Sequence, residues 1–558
     1  MKKLSADELF KIAYQHFLKK DYSKSKELFE KLINVYPDNL SILRNLSQVY
    51  AFLGEFKNAE TCVKKIINIK KDEPFAYQFL ATILKNQDKI DEMINIVDEA
   101  LKDSLINKKW IIQKKLLFPV VAKNKNEIKE YRKRIETGLD EIISSDEKLD
   151  FDNDQIVAPP NFELSYNEFD NLEINKKIFI AFKKIYKELN HNYENHDLKN
   201  KKIKIGFVSE FFTDHTIGKL FKNLIFSLDT KKFEIIIYHS YKTKPGKIFD
   251  EFKKQEAQRV LTNIILPRKL SDKLDFLKKE KLNILFYPDI GMSIEFYFLS
   301  MIRIAKHQIM SWGHPETTGF DTIDYFLASK KLINDNSKKL YSEKFLLMEN
   351  LPMIYDLPKI NKKLSDKDIS KKNIYSCPQT IFKFHPDFDA ILFDILKKDK
   401  KGILYLIKDT NKVFYLKLIE RFKKNNDYDP SRVIFLDPLN LENFINHLGT
   451  TSVLLDPLYF GSGNSFHESM FYGTPTVTLP TKYIKSKIVS AAYNQMEIEE
   501  PPIVETNDQY VSTAIKIANN ENILDLKKSF QKKAREKLFN TKSSGVEFNS
   551  LLSSLVNY

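Results

Sequence analysis

Glycine is scarce in this chain, with 14 residues in 558, well under the roughly 7% of an average protein. Collagen-like and linker-like architectures are excluded on that ground. Cysteine is scarcer: Cys62 and Cys377 stand far apart and without metal-ligand spacing. That excludes a disulfide scaffold and a cysteine-based zinc site, and it fits a reducing compartment. No apolar run reaches the ~18 to 20 residues that cross a bilayer. The start, MKKLSADELFKIAYQHF, scatters charges where a signal peptide carries an apolar core. The expectation is a cytoplasmic protein that does not span a membrane. Neither sign of charge is missing: 89 Lys and Arg face 75 Asp and Glu, for a net +14. The lysines run along the whole chain, mixed with acids, rather than clustering with aromatics. This argues against a nucleic-acid groove and for a solvated lysine-rich surface.

What is present begins with a repeat. With a period of 34 residues, Tyr22, Phe56 and Ile90 occupy equivalent places, as do Ser25, Ala59 and Met93. Phe29, Val63 and Val97 follow, then Leu32, Ile66 and Ala100; upstream, Ala13, Ser47 and Ala81 match. Small residues where helices cross, with large ones between, suit a helix-turn-helix unit, and the period is that of tetratricopeptide repeats. A plain helical bundle is the alternative. Gly54 fits the turn inside the second unit. Three units are about the minimum for a stable stack, and such a stack offers a concave surface to peptides or partner subunits. From Lys108 to Leu198 the pattern stays helical but loses the period, broken by a polar stretch (144–154) and Pro159-Pro160. This is a connector.

From Lys201 apolar strands alternate with helices: KIKIGFVSE (202–210), FEIIIYHS (233–240), LNILFYPDIG (282–291) and KHQIMSWGHPETTG (306–319). The alternation restarts after about residue 370 with IYSCPQ, GILYLIK, RVIFLDP, SVLLDP and TVTLP. Such alternation predicts parallel, doubly wound sheets, and two in tandem predict twin Rossmann-like domains facing a cleft, with ligands at the carboxyl ends of strands. Gly206, Gly218, Gly291, Gly313, Gly319, Gly461, Gly463 and Gly473 are all read as strand-end turns, where a glycine-poor chain keeps glycine for tight turns or close approach. The domains expected are repeats over 1–105, the connector over 106–200, two α/β halves over 201–365 and 366–540, and a tail helix over 541–558.

The segment SVLLDPLYFGSGNSFHESMFYGTPTVTLP (452–480) is the most informative. A strand ends at Asp456-Pro457, a loop carries Gly461 and Gly463, and a helix opens near Asn464-Ser465, either of which is a good N-cap, and runs to Gly473. Glycines ahead of a helix N-terminus admit a phosphate to free backbone N–H groups, which points to a pyrophosphate site. Glu468, one turn in, is placed to accept from ribose hydroxyls. The bare pattern also fits a structural turn.

With TKYIKSKIVSAAYNQMEI (481–498), GFVSEFFTDHTIGKL (206–220), LFYPDIGM (285–292), SWGHPETTGFDTIDYFLAS (311–329), YSEKFLLMENL (341–351) and CPQTIFKFHP (377–386), this segment resembles the O-linked N-acetylglucosamine transferase (SPINDLY-like) family, glycosyltransferase family 41, in its bacterial branch. The resemblance implies tetratricopeptide repeats followed by a two-domain GT-B unit that moves a sugar from a UDP donor to protein. By resemblance, Lys383 contacts the donor diphosphate, Gln379 the base or ribose, Asn464 and Ser465 the diphosphate, and Glu468 the ribose. His215 matches a histidine facing sugar and acceptor, where it takes the acceptor proton or only positions the sugar. His314 lies at the cleft edge by analogy, and Thr317, Thr318 and Gly319 shape the sugar and acceptor pocket. Asp289, ending a strand, is catalytic or a cap. Three departures stand out. Leu441 and Phe444 replace a lysine and a histidine of the animal enzymes; Glu316 replaces a glycine, narrowing the acceptor side; and Lys485 and Lys487 replace arginines, keeping charge but losing a forked contact.

No metal or other cofactor is expected. No Asp-x-Asp stands on a strand end, and the letters in FHPDFDA (384–390) open a helix. The function expected is transfer of a hexose, foremost N-acetylglucosamine, from UDP to protein Ser or Thr hydroxyls. The alternatives are a protein N- or O-glucosyltransferase of the same fold and a non-catalytic repeat-based adaptor. The expected partners are a UDP-sugar and a protein acceptor held by the repeats. A repeat stack of this kind can also pair into a homodimer.

Overall fold

A computed structural model describes residues 5–151, 156–191 and 201–556. The end of the polar stretch (152–155) and the end of the connector (192–200) lie outside the described residues. Six helices open the chain: α1 (Ala6–Leu18), α2 (Tyr22–Val35), α3 (Leu40–Phe52), α4 (Phe56–Ile69), α5 (Pro74–Asn86) and α6 (Ile90–Lys102). Tyr22, Phe56 and Ile90 each begin the second helix of a unit, so the 34-residue period marks equivalent turns. Ser5 and Glu8 form a capping box on α1, Asn39 caps α3, and Pro74 sits in the first turn of α5. Ala13, Ser47 and Ala81 on the first helices, and Ser25, Ala59 and Met93 on the second, are fully buried. There the small side chains let neighbouring helices approach. Within each unit the turn needs one left-handed residue, supplied by Lys20 (φ 62°), Gly54 (φ 73°) and Asp88 (φ 53°).

The connector is helical over Lys109–Gln113, Lys125–Ser144, Asn161–Ser165 and Leu172–Ile185. The first α/β half carries seven strands: β1 (Ile203–Ser209), β2 (Phe233–His239), β3 (Thr262–Ile265), β4 (Ile284–Tyr287), β5 (His307–Ser311), β6 (Tyr325–Ser329) and β7 (Lys344–Met348). They form one parallel sheet in the order β3-β2-β1-β4-β5-β6-β7. The second half carries β8 (Ile374–Cys377), β9 (Ile403–Ile407), β10 (Val433–Leu436), β11 (Val453–Leu455) and β12 (Thr476–Val477), parallel in the order β10-β9-β8-β11-β12. Gly206 lies inside β1 and Gly218 inside the helix Thr216–Phe226, not in turns as the spacing suggests. A Cβ on Gly206 would meet the Tyr238 ring at 2.6 Å, and one on Gly218 the Thr213 carbonyl at 2.1 Å. Close packing explains both.

The final helix, Lys542–Val556, returns to the first half, where Phe548 meets the Phe286 ring edge-on and Asn549 bonds Ser227 and Asp229. Among the described residues, no helix is long and apolar enough to cross a membrane.

Candidate active site

In a doubly wound sheet the loops that follow the two strands flanking the reversal of order diverge and leave a crevice. In the second half those strands are β8 and β11. Gln379 and Lys383 follow β8, and the glycine loop follows β11. Strand order thus brings together segments distant in sequence. Lys383 Nζ donates to the Gly461 carbonyl and to Gln379 Oε1, both at 2.9 Å, and lies 4.9 Å from the centre of the Phe460 ring. Gln379 Nε2 donates to the hydroxyls of Ser462 (3.0 Å) and Ser465 (2.5 Å). Burial lowers Lys383 to about 8, opposed by the nearby Asp456 carboxylate, so its ammonium is still cationic at neutral pH. Of its three N–H donors, these bonds occupy two.

The loop is braced by a residue that sequence reading passed over. Asp456 accepts from the Ser462 amide (2.6 Å) and the Thr478 hydroxyl (2.7 Å), and burial pushes its carboxyl up to about 6. A Cβ on Gly461 would stand 2.8 Å from Asp456 Oδ2, whereas one on Gly463 would meet nothing within 4 Å. Close approach to the brace therefore requires glycine at 461, and the space beside 463 is open.

The helix that follows is Asn464–Ser469, with Gly463 at its cap position and no side-chain cap bond. This corrects the expected Asn or Ser cap and the longer helix. Asn464 Oδ1 instead accepts from the Tyr355 hydroxyl (2.6 Å), Ser465 is engaged by Gln379, and Gly473 takes φ +68° beyond the helix end. So short a helix aligns few peptide dipoles. Attraction for an anion here rests on Lys383, the serine hydroxyls and the backbone amides that open the helix.

Glu468 is 4% exposed and accepts from Lys219 Nζ at 2.8 Å. Lys219 belongs to the helix Thr216–Phe226 of the first half, so the pair spans the cleft. It borders a cavity of about 930 Å³ whose lining includes Asp214, Lys219, Tyr355, Leu441 and Glu468.

In the first sheet the reversal falls between β1 and β4. His215 caps the helix Thr216–Phe226, its Nδ1 accepting from the Ile217 amide at 3.3 Å. Burial, aided by Lys219, lowers the imidazole below its ordinary value. With Nδ1 accepting, the neutral ring carries its proton on Nε2 and presents a donor there. Asp289, after β4, accepts from the Ser209 hydroxyl at the end of β1 (3.0 Å), and burial pushes its carboxyl up to about 7.

The HPETTG turn packs against the connector. His314 is 4% exposed, edge-on to Phe162 of the connector and 3.4 Å from the Ser165 hydroxyl. Burial, then Lys485, lowers it to about 3. The Thr317 and Thr318 hydroxyls grip the two oxygens of buried Glu343. Gly319, at φ +72°, abuts the helix Leu172–Ile185, where a Cβ would meet the Lys176 amide nitrogen at 2.6 Å. These residues anchor the turn against the connector, and His314, Thr317 and Thr318 line a small cavity with Asn161 and Gly291. Glu316 accepts from Lys485 Nζ at 2.9 Å, while Lys487 donates to Ser337. Among the described residues, no three His, Cys, Asp or Glu side chains group so as to hold a metal ion.

Comparison with known proteins bears on this geometry. The model of glycosyl transferase family 41 matches residues 168–379 and 370–548, and a tetratricopeptide repeat model matches 41–73. The chain is 20% identical over 334 residues to a probable UDP-N-acetylglucosamine–peptide N-acetylglucosaminyltransferase SEC of Arabidopsis thaliana, covering 58% of this chain and 33% of that protein. It is 22% identical over 332 residues to the UDP-glucose:protein N-beta-glucosyltransferase of Actinobacillus pleuropneumoniae serotype 5b, covering 58% and 51%. The matched region is thus a third to a half of these relatives' length. A mutant of the O-GlcNAc transferase from Thermobaculum terrenum superposes with a TM-score of 0.70 at 15% identity, over 99% of this chain and 97% of that one. That likeness shows the fold.

Proposed function

The chain belongs to glycosyl transferase family 41, and on that premise we propose that it transfers a hexose, foremost N-acetylglucosamine, from a UDP-sugar to serine or threonine hydroxyls of proteins, without a metal ion. The acceptor oxygen bonds to the sugar's anomeric carbon as the bond from that carbon to the diphosphate breaks, and UDP departs with the electron pair. The acceptor proton is released. The observation that carries the reading is the cluster of Lys383, Gln379, Ser462 and Ser465 at the β8–β11 crevice. A half-buried cation beside the amides that open a helix meets the charge that develops on a leaving diphosphate, with little solvent reorganisation. Holding donor and acceptor together supplies much of the rest.

Glu468 is assigned to the ribose, sharing it with Lys219. His215, with Nε2–H as donor, is assigned to positioning the sugar or diphosphate rather than to proton abstraction. The repeats are assigned to the acceptor protein and pairing of the chain, and the cell's cytoplasm to its place of action. Calorimetric titration tests the core of this reading. Tight binding of UDP, abolished in Lys383→Ala, is the expected result; no heat with UDP or any UDP-sugar overturns it in favour of an adaptor. Mass spectrometry of co-expressed proteins then separates N-acetylhexosamine on Ser or Thr from hexose on Asn.

A further inference from the structure

The donor loop is tied to the opposite half of the molecule by a buried ion pair outside the crevice. Lys485 has no exposed side-chain surface, and Glu316 keeps 9%. Their 2.9 Å contact joins the segment after β12 to the turn after β5. Both ends are stiff. Beside Glu316, Pro315 accepts from the Tyr341 hydroxyl at 3.0 Å, and Thr317 and Thr318 hold Glu343. The Lys485 ammonium also lies 4.8 Å from the centre of the Tyr483 ring, and the Tyr483 hydroxyl donates to the Glu168 carbonyl at 2.6 Å.

From Lys485 the connection runs straight to the donor cluster. Its carbonyl accepts from the Gly461 amide at 2.8 Å, and the Gly461 carbonyl accepts from Lys383 at 2.9 Å. The path is therefore the Glu316 carboxylate, the Lys485 side chain and carbonyl, the Gly461 peptide units, and the Lys383 ammonium. A buried ion pair seldom adds stability over apolar residues of similar volume, because desolvation offsets its attraction. What it adds is direction.

We propose that Glu316 and Lys485 are a positioning pair that sets the height of the donor loop, and with it the Lys383 ammonium, from the acceptor half. The proposal rests on the donor-site reading above. It touches no substrate atom itself.

The test is UDP titration and thermal melting of the full chain with Glu316→Gln, Lys485→Met and the two combined. Each single variant leaves a buried charge or donor without its partner, so its melting temperature falls. The double variant removes both charges and recovers melting temperature. If the pair positions the loop, UDP affinity stays about tenfold weaker in the double variant, within the range by which network residues shift coupling. In turnover, KM for the donor rises while KM for the acceptor stays unchanged. Wild-type affinity in the double variant overturns the proposal as a merely structural pair. Lack of UDP binding by the wild type overturns the donor-site reading itself, and this inference with it.

Discussion

At the scale of single residues, the proposed transfer depends most on one ammonium group. Lys383 is half-buried and held by carbonyl and amide oxygens, which keeps it charged near neutrality while leaving capacity for an anion. Burial lowers its titration to about 8, and a bound diphosphate favours the charged form and raises it again. UDP affinity is therefore expected to fall as pH rises through about 8, with proton uptake on binding at pH 8.5. Calorimetry in two buffers of different ionisation enthalpy reads that uptake; no uptake contradicts the assignment. Lys383→Ala is expected to lower transfer about 10²- to 10³-fold, as for loss of a charge-stabilising donor, with melting temperature nearly unchanged. The glycine loop was legible in sequence from its turn residues, whereas Gln379 and Lys383 were singled out only through the family resemblance. Asp456 as brace, and Lys219 as partner of Glu468, were not legible, because their partners come from other elements.

At the scale of elements, backbone conformation explains several choices that composition alone does not. The left-handed place recurs at Lys20, Gly54 and Asp88, so the turn is set by the packing of its two helices and glycine is optional there. Gly473 is different. It combines φ +68° with a Cβ position 1.9 Å from the Lys527 carbonyl. Gly473→Ala is expected to destabilise by about 2–4 kcal/mol, from strain plus overpacking; a urea midpoint close to wild type would contradict this. Three strands escaped the sequence reading. β3 is a short edge strand of mixed polarity, TNII, with Ile265 exposed. β6 and β7 lie in segments matched as family motifs, where the periodicity of five residues decides little between helix and strand.

At the scale of the whole molecule, the repeat arm is fastened to the second α/β half. Asp88 is buried and accepts from Lys417 Nζ (2.9 Å) and the Val120 amide (2.9 Å), and Lys417 also reaches the Asp88 carbonyl. Asp88→Ala strands those donors and is expected to cost about 1–3 kcal/mol. Limited proteolysis should then cut between the repeats and the connector while UDP affinity stays at the wild-type value. An unchanged digestion pattern would show that the contact does not hold the arm. The tail helix fastens the other end: Phe548→Ala, removing a fully buried ring, is expected to cost about 3–5 kcal/mol in urea unfolding.

The sequence by itself determined the 34-residue helical stack, the two rounds of strand and helix, and the place of the glycine loop between a strand and a helix. Each is written in local periodicity and turn residues, whose physics acts over a few positions. Only the tertiary structure decided that the HPETTG turn is sealed under the connector, that Glu468 meets Lys219 across the cleft, and that Glu316 meets Lys485. Those pairings join segments far apart in the chain. Their existence depends on strand order and on which surfaces exclude water, and neither quantity is carried by any short window of residues.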